Sequence, residues 1–403
     1  MNSHGWIRAT AILGLLILAP QPQCARDERI SSRPDDSLEE IQQKIDASGY
    51  GFTVGHNWVF DLPPAEKARF HSRHSLAKGV VEPFAPGIGP LAEVIGRQAL
   101  PSHFDWRDVG GHSYIGAVRN QGNCGSNYAF AACAAAESVY NFAHGLTDGA
   151  CADFSESYIL WCLGCRSSYY EHFYGCDGAD SSYSELQALV DVGVPNEAAY
   201  PYVVTDPQGC THEADPRVRM AGWYRIPCGD VEAIKTAIVT YGAVVASVLT
   251  TDAFDAYSGG IYEDTNTACS GSPCEYTPTD HGMALVGWDD TEGVFYLRNC
   301  WGTGWGENGY MRIKYTSAAV ACAVCYFVPE TPAGSIELNR TTLNFGMVGA
   351  SATTGSQTVV LSNGGSGTLD WTASASMPWI TVIPTSGSGN AVLTVSVNAS
   401  GRP

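Results

Sequence analysis

The segment of the chain with the most distinctive chemistry runs from Gln121 to Phe130 and carries Cys124 and Asn127. An alanine-rich run without glycine or proline follows it as far as Phe142. This pattern predicts a loop that opens into a buried helix. The N–H groups and the dipole at the start of such a helix favour a thiolate, so a cysteine there would be an activated nucleophile.

Two later segments carry a histidine and an asparagine. His281 lies in an Asp-His-Gly sequence that leads into the apolar run 283–288. Asn299 opens a stretch rich in tryptophan and glycine that ends at Tyr310. A base within hydrogen-bond reach of a nucleophile, oriented by a third group, is the usual arrangement for nucleophilic catalysis.

These three segments, preceded by Phe-Asp-Trp-Arg at 104–107, resemble in sequence and in order the papain family of cysteine peptidases. The family signature is Gln-Gly-x-Cys-Gly-Ser-Cys-Trp-Ala-Phe, and the resemblance covers about residues 98 to 330. It implies an α+β fold in which a helical lobe and a β-rich lobe enclose a cleft.

In the family, the first cysteine of the signature is half of a disulfide and the second is the nucleophile. The ungapped match therefore places Cys124 in the structural role and Asn127 at the catalytic position. The resemblance also implies roles for the other parts: base for His281, orienter for Asn299, side-chain oxyanion donor for Gln121 and a shielding ring for Trp301. Tyr128 stands where the signature has tryptophan.

A carboxamide cannot replace a thiolate, because its nitrogen lone pair is delocalised and it has no proton that a histidine removes near neutral pH. The predicted cleft also differs, since Ala179 and Asp180 stand where the family has a second glycine and an apolar residue. We therefore predict a papain-like protein that does not hydrolyse peptides and binds a peptide or protein ligand in its cleft, without a metal or cofactor.

The alternative is an active endopeptidase that uses a relocated thiol, Cys300 or Cys124. Cys300 lacks the helix N-terminus that activates a thiolate. Cys124 would require a broken disulfide and a three-residue shift of the helix start, because nucleophile and base must lie within hydrogen-bond reach.

Fourteen cysteines in an exported chain are read as disulfides rather than as zinc ligands. The resemblance implies the pairs Cys124–Cys176 and Cys162–Cys210, and a third pair that joins Cys269 or Cys274 to Cys322 or Cys325. Removal of Cys24 with a signal peptide leaves an odd number of cysteines, so at least one thiol is expected to be free. The sequence itself does not assign the pairing of eight cysteines: Cys133, Cys151, Cys165, Cys228, Cys269, Cys274, Cys322 and Cys325.

Composition and charge set the domain plan and the compartment. A net charge of −19 argues against nucleic acid or an anionic membrane as a partner. Arg8 and the short apolar run after it predict a signal peptide and a secreted, extracellular or periplasmic protein, and no later stretch is apolar enough to span a membrane. The predicted plan comprises a signal peptide (1–25), a pro-region (26–98), a papain-like domain (99–330), a linker (331–334) and a β-sandwich (335–403). Within the pro-region we expect a helix over 38–47 and an extended stretch over 52–60.

The last segment has no cysteine and reads as short alternating strands separated by turns. Its sequence over 343–346, 367–371 and 379–387 resembles the BACON-type immunoglobulin-like modules, which are associated with carbohydrate or mucin binding. We expect strands at 342–345, 357–361, 368–373, 379–383 and 392–397, too few for a complete sandwich. A carbohydrate- or surface-binding role is therefore a further hypothesis, with Trp371 and Trp379 as core residues or as a sugar platform.

Overall fold

The fold is described from a computed structural model over residues 36–71, 87–96, 99–164, 169, 172, 174–180, 183–207, 210, 216–265, 279–330, 335–348, 351–352, 354–364 and 369–398. The α-helices of these residues are α1 (Leu38–Ser48), α2 (Pro64–Phe70), α3 (Asn127–His144), α4 (Ser184–Asp191), α5 (Val231–Tyr241) and α6 (Asp252–Asp255). The strands that precede residue 331 are β1 (Phe52–Val54), β2 (His103–Asp105), β3 (Met220–Arg225), β4 (Val244–Val248), β5 (Tyr257–Tyr262), β6 (His281–Asp289), β7 (Val294–Arg298), β8 (Tyr310–Lys314) and β9 (Ala323–Pro329). The expected α+β class is confirmed.

The predicted buried helix is α3, which begins at Asn127 and ends before Gly145, whose positive φ of 64° caps the last turn. Five of its seven alanines are buried, and the helix packs against β6 and β9. Small side chains allow this close approach. Together with α4 and a π-helical turn over Tyr158–Leu163, α3 encloses one of the two large apolar cores.

The second core lies against a nine-stranded sheet in the order β1-β5-β8-β7-β6-β4-β9-β3, with β2 paired to β6. Strands β6 and β7 are antiparallel, with Ala284 opposite Arg298. The start of β6 and the end of β7 therefore lie side by side at one end of the strands. His281 and Asn299 meet at this end of the sheet.

The N-terminal segment, residues 36–71, packs on the sheet. Helix α1 begins with a capping box between Ser37 and Glu40 and buries Ile41 and Ile45. Strand β1 pairs antiparallel with β5 and adds an edge strand to the sheet. The extended stretch expected over 52–60 is shorter, because the side chain of Asn57 accepts the N–H groups of the residues two and three positions later and forms a turn.

After residue 334, a four-stranded sheet in the order β10-β13-β17-β15 accompanies two two-stranded ladders. Its strands are β10 (Ile336–Leu338), β11 (Met347–Val348), β12 (Ser351–Ala352), β13 (Gln357–Asn363), β14 (Asp370–Thr372), β15 (Ile380–Ile383), β16 (Ser386–Ser388) and β17 (Ala391–Val397). The strand expected over 342–345 is not formed. The small core of this module contains Trp371, whose side chain is 5% exposed and whose indole N–H donates to Gly389 O. Trp371 is thus a core residue and not an exposed platform.

The two disulfides for which the family resemblance implied a single pairing are confirmed. Cys124 is bonded to Cys176 and Cys162 to Cys210. Two cysteines of the expected third pair, Cys269 and Cys274, lie outside the described residues, as do Cys165 and the predicted signal peptide. Within the described part of the chain, no helix has the length and hydropathy needed to cross a membrane.

Candidate active site

Three segments of the chain meet at the beginning of β6. The first is the start of α3, where the side chain of Asn127 is fully buried. Its Oδ1 accepts a hydrogen bond of 2.9 Å from the backbone N–H of Gly282, the second residue of β6. The carboxamide therefore joins the helix directly to the sheet. The sequence gives no sign of this bond, since its partners are 155 residues apart.

The second and third segments contribute a histidine–asparagine pair. His281 Nε2 donates to Asn299 Oδ1 over 2.9 Å, and both side chains are buried. The ring of Trp301 lies against the imidazole, with 4.6 Å between the ring centroids. This is the contact expected of a shielding ring. Asn299 Oδ1 also accepts the N–H of Cys300, which fixes the orientation of the amide.

Gln121 is buried at the same place, and its amide group is held within its own loop. Its Nε2 donates to Cys124 O over 2.6 Å. Its Oε1 accepts from Trp301 Nε1 over 3.0 Å and lies 2.9 Å from Cys300 Sγ. Gln121 is therefore next to the other expected site residues, but its side chain braces the loop against the segment that follows Asn299.

The two thiols considered as relocated nucleophiles are poorly placed for that role. Cys124 is consumed by its disulfide with Cys176. Burial raises the pKa of the Cys300 thiol well above its usual value, and the nearby carboxylate of Glu156 raises it further. A thiolate at Cys300 is therefore strongly disfavoured near neutral pH.

Behind the site lies a buried group of charged residues that the sequence did not reveal. Burial raises the pKa of Glu137 to about 7, although Arg298 lies 3.6 Å away and opposes the shift. Glu137 Oε1 accepts the N–H of Phe154, which links α3 to the following loop. Burial also raises the pKa of Glu156 well above its usual range. A glutamate inside an alanine-rich helix was the available signal for Glu137.

The N-terminal segment reaches the site on the side of His281. The ring of His71 lies 5.9 Å from that of His281, and its Nε2 is 3.4 Å from the buried carboxylate of Asp255. The indole N–H of Trp58 donates to Trp301 O over 2.7 Å. This part of the predicted pro-region therefore covers one wall of the site. The carboxylate of Asp180, expected near the cleft, is paired with His172 at 2.9 Å rather than standing alone.

Comparison with known proteins agrees with this arrangement. The model of the papain family cysteine protease matches residues 100–328, and that of the viral BACON domain matches residues 335–402. Mexicain of Jacaratia mexicana is 35% identical over 220 residues, which are 54% of this chain and 90% of Mexicain. A probable cysteine protease of Arabidopsis thaliana is 30% identical over 308 residues; the match covers 74% of this chain but only 62% of the plant protein. Among solved structures, a digestive procathepsin L2 of Tenebrio molitor has a TM-score of 0.58 at 25% identity, covering 72% of this chain and 88% of its own.

The helix start, the histidine–asparagine pair and the two disulfides define a papain-like fold. The family model spans more than half of the chain. The chain therefore belongs to the papain family of cysteine proteases and carries a BACON domain after it.

Proposed function

We propose that this protein is an exported papain-family homologue without peptidase activity, which binds a peptide or protein ligand in its cleft. The observation that carries the proposal is the carboxamide of Asn127 at the first residue of α3, where the family places its nucleophilic thiol. In a well-studied triad protease, loss of the nucleophile lowers kcat about 10⁶-fold. Export is supported by the two disulfides, which persist in oxidising compartments.

The remaining site supports binding rather than a new chemistry. His281 and Asn299 keep the geometry of a base and its orienter, yet the group from which the base would take a proton is an amide. Neither described thiol next to the site is a suitable substitute, since Cys124 is in a disulfide and the pKa of Cys300 is raised by burial. Binding in the cleft needs no nucleophile, and the fold that forms the cleft is retained.

The test is hydrolysis of a broad fluorogenic peptide library by the natural protein and by Asn127→Cys, each after removal of the N-terminal segment by an added protease. We expect background rates for the natural protein and rates at least about 10³-fold higher for Asn127→Cys, since the nucleophile contributes up to about 10⁶-fold. Asn127→Cys combined with His281→Ala is the control and should return to background.

Hydrolysis by the natural protein that Cys300→Ser abolishes would contradict the proposal and show that the nucleophile has moved. A folded but inactive Asn127→Cys variant would contradict the narrower expectation that only the nucleophile is missing. Binding is measured separately, as fluorescence polarisation of the same peptides with the natural protein, and the absence of any binding would overturn the ligand-binding half of the proposal.

A further inference from the structure

The antiparallel ladder of β3 and β9 continues past the end of β3. The N–H of Ile226 donates to Val324 O over 2.9 Å, and the N–H of Gly229 donates to Ala321 O over 2.8 Å. These bonds keep the register of the preceding strand pairs. Residues 227 and 228 lie between these two bonds on one strand, and residues 322 and 323 lie between them on the other. The backbone therefore holds residue 228 opposite residue 322.

In this register Cys228 faces Cys322, and their Sγ atoms are 2.7 Å apart. Directly opposite residues of an antiparallel pair have Cβ atoms about 4.5–5.5 Å apart, a range that meets the upper end of the roughly 3.5–4.5 Å span of a disulfide. Both cysteines pack with the core of the β-rich lobe, whereas Cys325 packs with the core of the helical lobe on the other face of the sheet. We propose that Cys228 and Cys322 form a disulfide, and that it takes the place of the third pair implied by the family resemblance.

Formation of this bond is an oxidation, in which two thiols lose two protons and two electrons as the S–S bond forms. The electrons pass to a small-molecule or protein disulfide, which is reduced to two thiols by thiol–disulfide exchange. Burial and the hydrogen bond to Cys322 raise the pKa of the Cys228 thiol. The attacking thiolate is therefore scarcer in the folded, reduced protein, and we expect the bond to form faster before the pair is buried.

The proposed disulfide fixes the turn that supports one wall of the site. In this turn Ala318 O accepts the N–H of Leu249 over 2.8 Å. The next residue, Thr250, donates its hydroxyl to the carboxylate of Asp280, which precedes His281. A short series of hydrogen bonds thus connects the turn next to Cys322 to Asp280, the residue before the histidine that begins β6.

Tryptic mapping without reduction, after alkylation of free thiols, tests the pairing. Cleavage after arginine and lysine isolates Cys228 in peptide 226–235, Cys322 and Cys325 in peptide 315–340, and Cys269 and Cys274 in peptide 236–298. We expect peptide 226–235 linked to 315–340 in protein oxidised by glutathione. Linkage of peptides 120–166 and 167–217 in the same map, through the two described disulfides, shows that the sample is folded.

Matched variants separate the two cysteines of peptide 315–340. The linked peptide should persist in Cys325→Ser and disappear in Cys322→Ser. Recovery of alkylated 226–235 from the folded natural protein, or linkage of 236–298 to 315–340, would overturn the assignment. Thermal unfolding gives an independent measure: Cys228→Ser should lower Tm by about 5–15 °C, while Cys151→Ser, at a cysteine outside the described disulfides, should change it by about 2 °C or less. An unchanged Tm in Cys228→Ser would also contradict the proposal.

Discussion

From the hydrogen bond between Asn127 Oδ1 and the N–H of Gly282 we predict how much stability is lost when Asn127 is replaced, including by a cysteine. In Asn127→Ala the N–H of Gly282 stays buried and loses its acceptor. Leaving a buried donor unsatisfied costs about 1–3 kcal/mol. We therefore expect the free energy of unfolding to fall by about 2 kcal/mol, which lowers Tm by about 4–8 °C in a domain of this size.

Asn127→Cys should lose nearly as much stability as Asn127→Ala, because sulfur is a weak acceptor and the side chain is too short to take the place of the carboxamide oxygen. The assay is urea unfolding followed by tryptophan fluorescence, at pH 7, for both variants and the natural protein. Asn123→Ala is the control: this asparagine lies in the same loop, is exposed and donates to Glu66, so its loss should change stability by no more than about 0.5 kcal/mol. If Asn127→Cys is as stable as the natural protein, the carboxamide does not hold the two lobes together and this reasoning fails.

Three further predictions concern groups outside the site. Burial raises the pKa of Glu185 to about 8, so its contribution to stability is fully present below the unfolded value of about 4.3 and is lost as pH rises through 8; Glu185→Gln should reduce the loss of unfolding free energy between pH 5 and 8 in urea titrations, and equal slopes would contradict this. Trp58→Phe removes the hydrogen bond to Trp301 O at a cost of about 1 kcal/mol, so limited proteolysis should remove the N-terminal segment several-fold faster than in the natural protein, and an unchanged rate would show that the bond does not hold the segment. Trp371→Ala should destabilise the BACON domain by about 3–5 kcal/mol, seen as rapid proteolysis after residue 334, and resistance equal to that of Trp379→Ala, whose side chain is only half-buried and lies outside the described core of the module, would show that Trp371 is not central to that core.

The parts of the fold that the sequence predicted are those encoded by local pattern. The start of α3 at Asn127 follows from a loop sequence and an alanine-rich run. The disulfides Cys124–Cys176 and Cys162–Cys210 followed from the family resemblance. The strand expected over 342–345 was wrong, because a short alternating run does not by itself supply a pairing partner.

What the sequence did not predict depends on contacts between distant segments. Strand β1 joins the sheet through β5, about 200 residues later, and no alternating pattern marks so short an edge strand. Gln121 was expected to donate towards the cleft, yet its amide group is directed at the carbonyl of Cys124. The position of Cys228 opposite Cys322 follows from the register of two strands, which a spacing of cysteines cannot supply.

The hydrogen bond between Asn127 and Gly282 explains how the fold tolerates an asparagine at the position that we propose to correspond to the family's nucleophile. A buried polar side chain is costly unless its hydrogen bonds are satisfied. At the start of α3 the carboxamide oxygen of Asn127 accepts the backbone N–H of Gly282 in β6. A thiol at this position would be a weak acceptor and would leave that N–H poorly satisfied. If the proposed function is correct, the asparagine therefore adds a contact between helix and sheet that a thiol would not supply. The hydrogen bond between His281 and Asn299 is also buried and satisfied, so it stabilises this part of the fold whether or not peptides are hydrolysed.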